Sequence, residues 1–215
     1  AYKVSQGLLK EFGNTRVVDT PISEHGFTGL AIGSAFKGLR PIVEFMTFNF
    51  SMQAIDQIIN TAAKTLYMSG GQINCPIVFR GPNGAASQVA AQHSQDFTSW
   101  YSHCPGIKVV VPSNAFNAKG LLKSAIDDDN PVIFLEHRWL HNTFDNVPIK
   151  EYRVPIGKAR LARKGSDVTI VSHSYMVLES IKCADVLKEQ RVSVEVVDLR
   201  SLRPLDSEAV LNSVS

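Results

Sequence analysis

The sequence predicts an α/β fold in which a parallel sheet carries helices on both faces. Two observations lead to this prediction. Short apolar runs alternate with segments of helical periodicity, and the apolar runs contain almost no polar residues. Strands that are apolar on both faces are typical of parallel sheets buried under helices.

The first part of the chain supplies five predicted strands and three predicted helices. A strand is predicted at 16–19, a helix at 26–37, a strand at 41–45, an amphipathic helix at 54–67 and strands at 76–80, 107–111 and 132–135. Pro112 ends the strand before it, and Ser113 or Asn114 can cap a helix that runs to about Ile126. Asp127 to Pro131 breaks the chain before the next strand.

The stretch from His137 to Pro155 has no clear periodicity and is interpreted as a linker. After it, a strand at 167–172, a helix at 176–190 and a strand at 192–199 form one right-handed crossover unit. We therefore expect one domain over residues 1–150 and the incomplete start of a second α/β domain over residues 151–215.

Composition excludes several classes of function. The 215 residues are 44% hydrophobic and 20% charged, with a formal net charge of +2 and no basic block, so neither nucleic acid nor a membrane is an expected partner. The three cysteines are far apart and form no CxxC pair, which argues against a zinc site or a disulfide framework and favours a reducing compartment. The chain begins without Met and ends within a helical pattern, so we expect a piece of a longer protein.

Three segments follow strands and could carry chemistry, because sites in open α/β sheets lie beyond the carboxyl ends of strands. In Asp19 to Phe27, the alternative to a functional Glu24 is that Ser23 or Glu24 caps the helix. In Glu44 to Gln53, two Phe and two Met follow the predicted strand and could stack on a flat ring or could form a core or interface patch.

The third segment joins the turn Gly81–Gly84 to Gln92-His93-Ser94-Gln95. A histidine in a loop is a candidate for proton transfer, although a lone histidine is more often structural or merely exposed. No G-x-S-x-G string supports a serine hydrolase. The pair His137 and His141 lacks the HExxH pattern of a zinc site, and the acidic turn at Asp127–Asn130 lacks the Glu that ends an EF-hand loop.

Taken together, these strings resemble the beta subunits of pyruvate dehydrogenase (acetyl-transferring), which are thiamine-diphosphate-dependent 2-oxoacid dehydrogenases. The strings occur in the family's order and at about its spacing: Asp-Thr-Pro-Ile-Ser-Glu at 19–24, Gly-Leu-Arg-Pro-Ile at 38–42, Glu-Phe-Met-Thr-Phe-Asn-Phe-Ser-Met-Gln at 44–53, Met-Ser-Gly-Gly at 68–71, Arg-Gly-Pro-Asn-Gly at 80–84 and Ala-Ala-Gln-His-Ser-Gln at 90–95. The resemblance implies a transketolase-like pyrimidine-binding domain followed by the beginning of a transketolase C-terminal domain.

The resemblance also implies roles for individual residues. Glu24 matches the glutamate that hydrogen-bonds N1′ of the cofactor's aminopyrimidine, and His93 matches the histidine near the reacting carbon. Phe50 matches the aromatic residue that stacks on the pyrimidine. The remaining expected pocket residues are Ile22, Met46 and Gln53. In mitochondrial-type members of the family a potassium ion is bound, and the matching positions are Ile77, Ala125, Ile126, Asp128 and Asn130.

The family implies partners as well. Thiamine diphosphate also needs Mg²⁺ and diphosphate ligands, whose pattern contains Gly-Asp-Gly, and this string is absent from the sequence. An alpha subunit that supplies this half is therefore expected, in an α₂β₂ assembly with Phe48, Phe50 and Met52 in the interface. The reaction implied is oxidative decarboxylation of pyruvate with acetyl transfer to lipoyl-lysine on the lipoyl domain of an acyltransferase core. The expected location is the bacterial cytoplasm or, in a eukaryote, the mitochondrial matrix.

The chain departs from the family after Leu135, where it reads Glu-His-Arg-Trp-Leu-His at 136–141 and continues unfamiliarly to Ile149. Two alternatives therefore stay open. The chain could belong to a branched-chain 2-oxoacid or acetoin dehydrogenase, whose beta subunits share the fold. It could also be an inactive flavodoxin-like scaffold fragment.

Overall fold

A computed structural model describes residues 2–215 and contains two sheets with helices around them. The helices are α1 Leu8–Phe12, α2 Glu24–Phe36, α3 Ala63–Met68, α4 Thr98–His103, α5 Ala115–Asp127, α6 Tyr175–Glu189 and α7 Ser207–Val214. The strands are β1 Ile42–Glu44, β2 Val78–Asn83, β3 Lys108–Val110, β4 Val132–His137, β5 Arg160–Arg163, β6 Val168–Ser172, β7 Val194–Asp198 and β8 Ser201–Arg203. The predicted α/β class is confirmed.

The first sheet has the order β1-β2-β4-β3-β8, and its first four strands are parallel to one another. Alternate residues of these strands point to opposite faces, as the pleat requires. Odd-numbered residues such as Phe79 and Ile133 join the cluster that α2 covers, whereas even-numbered residues such as Val78 and Phe134 pack against α5. Both faces are thus buried, which explains why the strands are apolar throughout.

The second sheet has the order β5-β7-β6, with β6 and β7 parallel and β5 antiparallel to β7. Its crossover helix α6 was predicted, and its core contains Val177, Ala184, Val194 and Val196. The short strand β8, which lies in the same part of the chain, pairs instead with β3 in an antiparallel arrangement. The second unit is therefore attached to the first sheet by a strand, a connection that the sequence did not predict.

Two predicted elements are wrong in form. Residues 16–19 form no strand, because the N–H groups of Arg16 and Val17 bond back to the Gly13 carbonyl in a turn. The helix predicted at 54–67 is not a regular α-helix. It begins earlier, as a 3₁₀ helix over Phe48–Ala54, and passes through a π-helix at Gln57–Ala62 before α3.

The stretch predicted as a linker also holds structure. Its first residue ends β4, and a 3₁₀ helix follows at Arg138–Asn142. The predicted cap of α5 is confirmed for Asn114, whose side chain accepts a hydrogen bond from the Asn117 N–H at 2.8 Å.

Candidate functional site

Glu24 is the first residue of α2 and begins its buried stripe, which continues through Thr28, Ile32 and Ala35. The side chain is only 6% exposed, and its Oε2 atom has no hydrogen-bond partner within residues 2–215. Ser23 does not cap the helix, since its hydroxyl donates to the Pro21 carbonyl at 3.4 Å. A buried carboxyl oxygen without a partner costs free energy, so its position favours a role in binding a ligand rather than in capping.

The aromatic segment after β1 forms a 3₁₀ helix, in which residues three apart lie on one face. Phe48, Ser51 and Ala54 form the inward face and are all 0% exposed. Phe50 and Gln53 lie on a different face, where Phe50 is half-buried and Gln53 is exposed. The geometry therefore separates a structural face from a face that can receive a ligand.

This arrangement corrects one expectation about an interface. Phe48 was expected to lie in a subunit interface together with Phe50 and Met52. It lies instead in the core, with ring centroids 5.3 Å from Phe45 and 5.5 Å from Tyr101, both edge to face. Met52 remains partly exposed.

His93 ends a short 3₁₀ turn in the loop after β2, and its ring meets Phe50 edge to face with centroids 5.3 Å apart. The loop contains two non-glycine residues with positive φ, Gln88 at 56° and Ala90 at 63°. Such backbone is sparsely populated and is concentrated at functional sites. The fold thus brings Phe50 into contact with His93, which can transfer protons, although more than forty positions separate them in the sequence.

The other expected pocket residues are at the surface. Ile22 is 81% exposed, and Met46 and Gln53 are also exposed. The helix α2 packs against the 3₁₀ helix Phe48–Ala54, so the buried carboxyl and the aromatic face belong to neighbouring elements. Three of the expected pocket residues are therefore exposed to solvent in the single chain.

Two of the expected potassium positions contact a cationic side chain of the protein itself. One guanidinium nitrogen of Arg40 donates to the carbonyl oxygens of Ile126 and Asp128, each at 3.0 Å. The Asp128 carboxylate accepts two hydrogen bonds from Asn130 at 2.9 Å and pairs with Lys108. Although burial opposes it, the hydrogen bonds from Lys108 and Asn130 hold the pKa of Asp128 below its usual range.

Two further potassium positions, Ile77 and Ala125, are buried, and the Ile77 carbonyl accepts a hydrogen bond from the Val132 N–H at 2.9 Å. Two main-chain oxygens therefore converge on a cationic group, which in this structure is a guanidinium. Within residues 2–215 no group of three or more His, Cys, Asp or Glu side chains is placed to hold a metal ion.

A polar cluster that sequence reasoning did not find lies on the α5 side of the first sheet. Arg80 is buried, donates to Glu44 at 2.6 Å through one nitrogen and forms a two-point pair with Glu136. Although burial opposes it, the nearby His141 ring and the hydrogen bonds from Arg80 hold the pKa of Glu136 below its usual range. Part of the signal was available in the sequence, because Glu44 and Glu136 stand near the ends of the two strands that flank the strand of Arg80.

The two histidines of 136–141 do not share a site. His141 approaches Glu136 at 3.3 Å and lines a cavity of about 300 Å³ with Tyr2 and Arg138, whereas His137 stacks on Tyr175 with ring centroids 5.0 Å apart. Burial lowers the pKa of His137. The unfamiliar stretch therefore helps to join the two units of the chain, since Tyr175 begins α6.

Comparison with known proteins gives two family matches. Residues 1–142 match the family described as transketolase, pyrimidine binding domain, and residues 157–215 match the family described as transketolase, C-terminal domain. No helix in the described part of the chain has the length and apolar character needed to cross a membrane.

Relatives with similar sequences carry the name pyruvate dehydrogenase E1 component subunit beta. The Rhizobium meliloti (strain 1021) protein is 62% identical over 215 residues, covering all of this chain and 47% of the relative. The Rickettsia felis protein is 59% identical over 214 residues and is 66% covered, and the Caenorhabditis elegans protein, named as mitochondrial, is 62% identical over 218 residues and is 62% covered. The chain thus spans about half to two-thirds of the length of these curated relatives.

Solved structures with lower identity show the same fold. A structure titled split gene transketolase, inactive beta4 tetramer, superposes with a TM-score of 0.82 at 21% identity and covers 99% of this chain and 66% of that one. A transketolase from Pichia stipitis superposes with a TM-score of 0.64 at 20% identity, covering 83% of this chain and 26% of that one.

Proposed function

The chain belongs to the transketolase pyrimidine-binding domain family, and from this premise we propose that it is part of the beta subunit of the dehydrogenase component of a pyruvate dehydrogenase complex. The proposed reaction is thiamine-diphosphate-dependent oxidative decarboxylation of pyruvate, with acetyl transfer to lipoyl-lysine. The observation that carries the proposal is the buried Glu24 carboxyl with an unpartnered oxygen, beside the element that brings Phe50 against His93.

The residues present fit the pyrimidine half of the cofactor. Thiamine diphosphate supplies, when bound, the electron sink that cleavage of the bond to the carboxyl carbon needs. Glu24 would hold a proton against N1′ of the aminopyrimidine, where a sheltered carboxyl stabilises the required tautomer. Phe50 would stack on the ring. Exposed Ile22, Met46 and Gln53 would complete the pocket against a partner.

His93 is proposed as the second catalytic residue. Its ring is half-buried, and Phe50 supports one edge of it. From that position an imidazole can stabilise negative charge that develops on the substrate or can pass a proton during acetyl transfer. The contact with Phe50 would set the distance between His93 and the pyrimidine, because the pyrimidine would stack on the same phenylalanine.

The exposure of the expected pocket residues supports the proposed partners. An alpha subunit would supply the Mg²⁺ and diphosphate ligands in an α₂β₂ assembly, and the lipoyl domain of an acyltransferase core would receive the acetyl group. Potassium would be held by main-chain and side-chain oxygens at 77, 125, 126, 128 and 130 only if Arg40 moved from its present contacts. We further propose a domain boundary near residue 150.

Location follows from the source organism, because the relatives are bacterial or named as mitochondrial. The proposed compartments are accordingly the bacterial cytoplasm or the mitochondrial matrix. A branched-chain 2-oxoacid or acetoin dehydrogenase remains the second candidate, and the specific reason is the unfamiliar stretch 136–149. This stretch lies at the junction of the two units and could alter substrate choice.

The test uses the full-length subunit expressed with its alpha subunit and supplied with Mg²⁺ and thiamine diphosphate. Decarboxylation is measured with pyruvate and with a branched-chain 2-oxoacid, and acetoin, which has no carboxyl group, is tested separately for cleavage of its carbon–carbon bond. We expect pyruvate to be preferred and the Glu24→Gln variant to be inactive while it still assembles. Preference for another substrate would favour the second candidate, and normal turnover of Glu24→Gln would remove Glu24 from its proposed role.

A further inference from the structure

The loop that carries His93 is held mainly at its ends. At its start, the Gly84 N–H donates to the Gln95 carbonyl at 2.9 Å, and at its end the Phe97 N–H donates to Asn83 Oδ1 at 3.2 Å. Between these points the backbone passes through the positive φ values at 88 and 90 and makes hydrogen bonds mostly to itself. Such a segment needs external contacts to keep one conformation.

One of those contacts comes from Asn49. This side chain is 3% exposed, and its Oδ1 accepts a hydrogen bond from the Gln95 N–H at 3.1 Å. Its Nδ2 donates to the Thr47 hydroxyl at 2.9 Å, which fixes the orientation of the amide. Both polar ends of the side chain are therefore used, and one of them reaches the backbone two residues after His93.

Asn49 also lies directly between Phe48, which is anchored in the core, and Phe50, which contacts His93. The backbone of one short 3₁₀ helix thus supplies both the aromatic contact to the histidine and the hydrogen bond to its loop. A displacement of the loop away from this helix would break both contacts together. This coupling is a property of the pair of elements and cannot be read from either segment alone.

We propose that Asn49 is a positioning residue that holds the His93 loop against the Phe50 face. The proposal rests on the proposed function, in which His93 acts on a substrate bound at that face. Asn49 itself touches no reacting group. Its effect is to keep the imidazole within a narrow range of positions, and small displacements of a catalytic group cost large factors in rate.

The test uses Asn49→Ala in the full-length subunit assembled with its alpha subunit. Loss of one buried hydrogen bond should raise the population of the displaced loop about tenfold. We expect diethyl pyrocarbonate to modify His93 about tenfold faster, as measured by mass spectrometry of the peptide that contains it. The exposed His103 serves as an internal reference whose rate stays unchanged.

The kinetic readout separates positioning from binding. We expect kcat for pyruvate to fall by about tenfold while KM changes little. The dependence of kcat on pH should also change. Asn49→Asp keeps an oxygen acceptor for the Gln95 N–H and should lie between the wild type and the alanine variant in the modification rate. The exposed Asn146→Ala is the matched control and should behave as the wild type.

If Asn49→Ala does not assemble, Asn49→Ser provides the same comparison, because the shorter side chain cannot reach the Gln95 N–H. Unchanged modification of His93 in the assembled variants would overturn the proposal. An equal change at His93 and His103 would do the same, since it would show general loosening of the fold. Because the modification assay needs no turnover, a wild type that is inactive on pyruvate would contradict the proposed function while leaving this measurement interpretable.

Discussion

Replacement of Glu24 by leucine should make the protein more stable and inactive. Two effects on stability oppose each other. Leucine removes a buried carboxyl oxygen that has no partner within residues 2–215, and an unsatisfied buried group costs about 1–3 kcal/mol. Leucine also removes a favourable interaction between an acidic side chain and the amino end of α2, which contributes about 0.3–1 kcal/mol. The first effect is the larger one.

The net expectation is a gain of about 1–2 kcal/mol in the free energy of unfolding. The measurement is urea-induced unfolding of the isolated full-length subunit, followed by circular dichroism, with thermal unfolding as a second probe. A gain of this size should raise the melting temperature by roughly 2–6 °C. Assembled with its alpha subunit, the same variant should show no decarboxylation.

Two variants serve as controls for the Glu24 measurement. Glu11→Leu replaces an exposed glutamate of a helix and should change stability by less than about 0.5 kcal/mol. Thr28→Val removes the other unpartnered buried side-chain oxygen on the same stripe of α2 and should also stabilise. A loss of more than about 1 kcal/mol in Glu24→Leu would refute the reasoning, because it would show that the carboxyl supports the fold in the manner of a cap.

Three further predictions concern the frame around the site. Arg80→Met leaves two carboxylates without their partner and should lower the free energy of unfolding by about 3–5 kcal/mol in urea titrations, whereas a loss below about 1 kcal/mol would contradict the buried pair. Burial raises the pKa of Cys75 from 9.0 to about 12 and that of Tyr101 from 10.0 to about 12. Both groups are neutral when protonated, so their contribution to the free energy of unfolding is complete below pH 9 and is lost as the pH rises to 12. Unfolding curves measured at alkaline pH should show a loss of about 4 kcal/mol from Cys75, and this loss should be absent in Cys75→Ala. Gly106→Ala would place a methyl group 2.0 Å from the Ala63 carbonyl oxygen at a φ of +88°, so its melting temperature should fall clearly, whereas Gly33→Ala, which meets open space, should be tolerated.

Sequence patterns predicted those parts of the fold that repeat a simple period. The parallel strands and the helices α2, α5 and α6 were predicted to within a few residues, because buried apolar runs and 3.6-residue stripes mark them directly. The strands β5 and β8 were missed. The first reads Arg-Leu-Ala-Arg and the second Ser-Leu-Arg, and strands this short and polar form only because a longer neighbour is already in place.

The candidate site divides in the same way. Glu24, Phe50 and His93 were expected from a resemblance, since local sequence alone favoured a capping role for the first and a structural role for the last. The Arg80 cluster and the Asn49 contact were not expected, because both depend on which strands and loops become neighbours. Residues 49 and 95 meet through a backbone N–H that no side-chain motif records.

The 3₁₀ helix Phe48–Ala54 determines which side chains of this segment are buried and which face outward. In an α-helix that began at Phe48, the buried stripe would pass through positions 51, 52 and 55, and Ala54 would turn away from the core. The observed 3₁₀ helix buries 48, 51 and 54 instead, and Ser51 pairs with the Tyr101 hydroxyl at 2.7 Å. That choice turns Met52 out of the buried stripe, while Phe50 and Gln53 lie together on one outward face. The tight first turn therefore places Ala54 in the core in place of Met52, and the wider π-helical turn then returns the segment to α3.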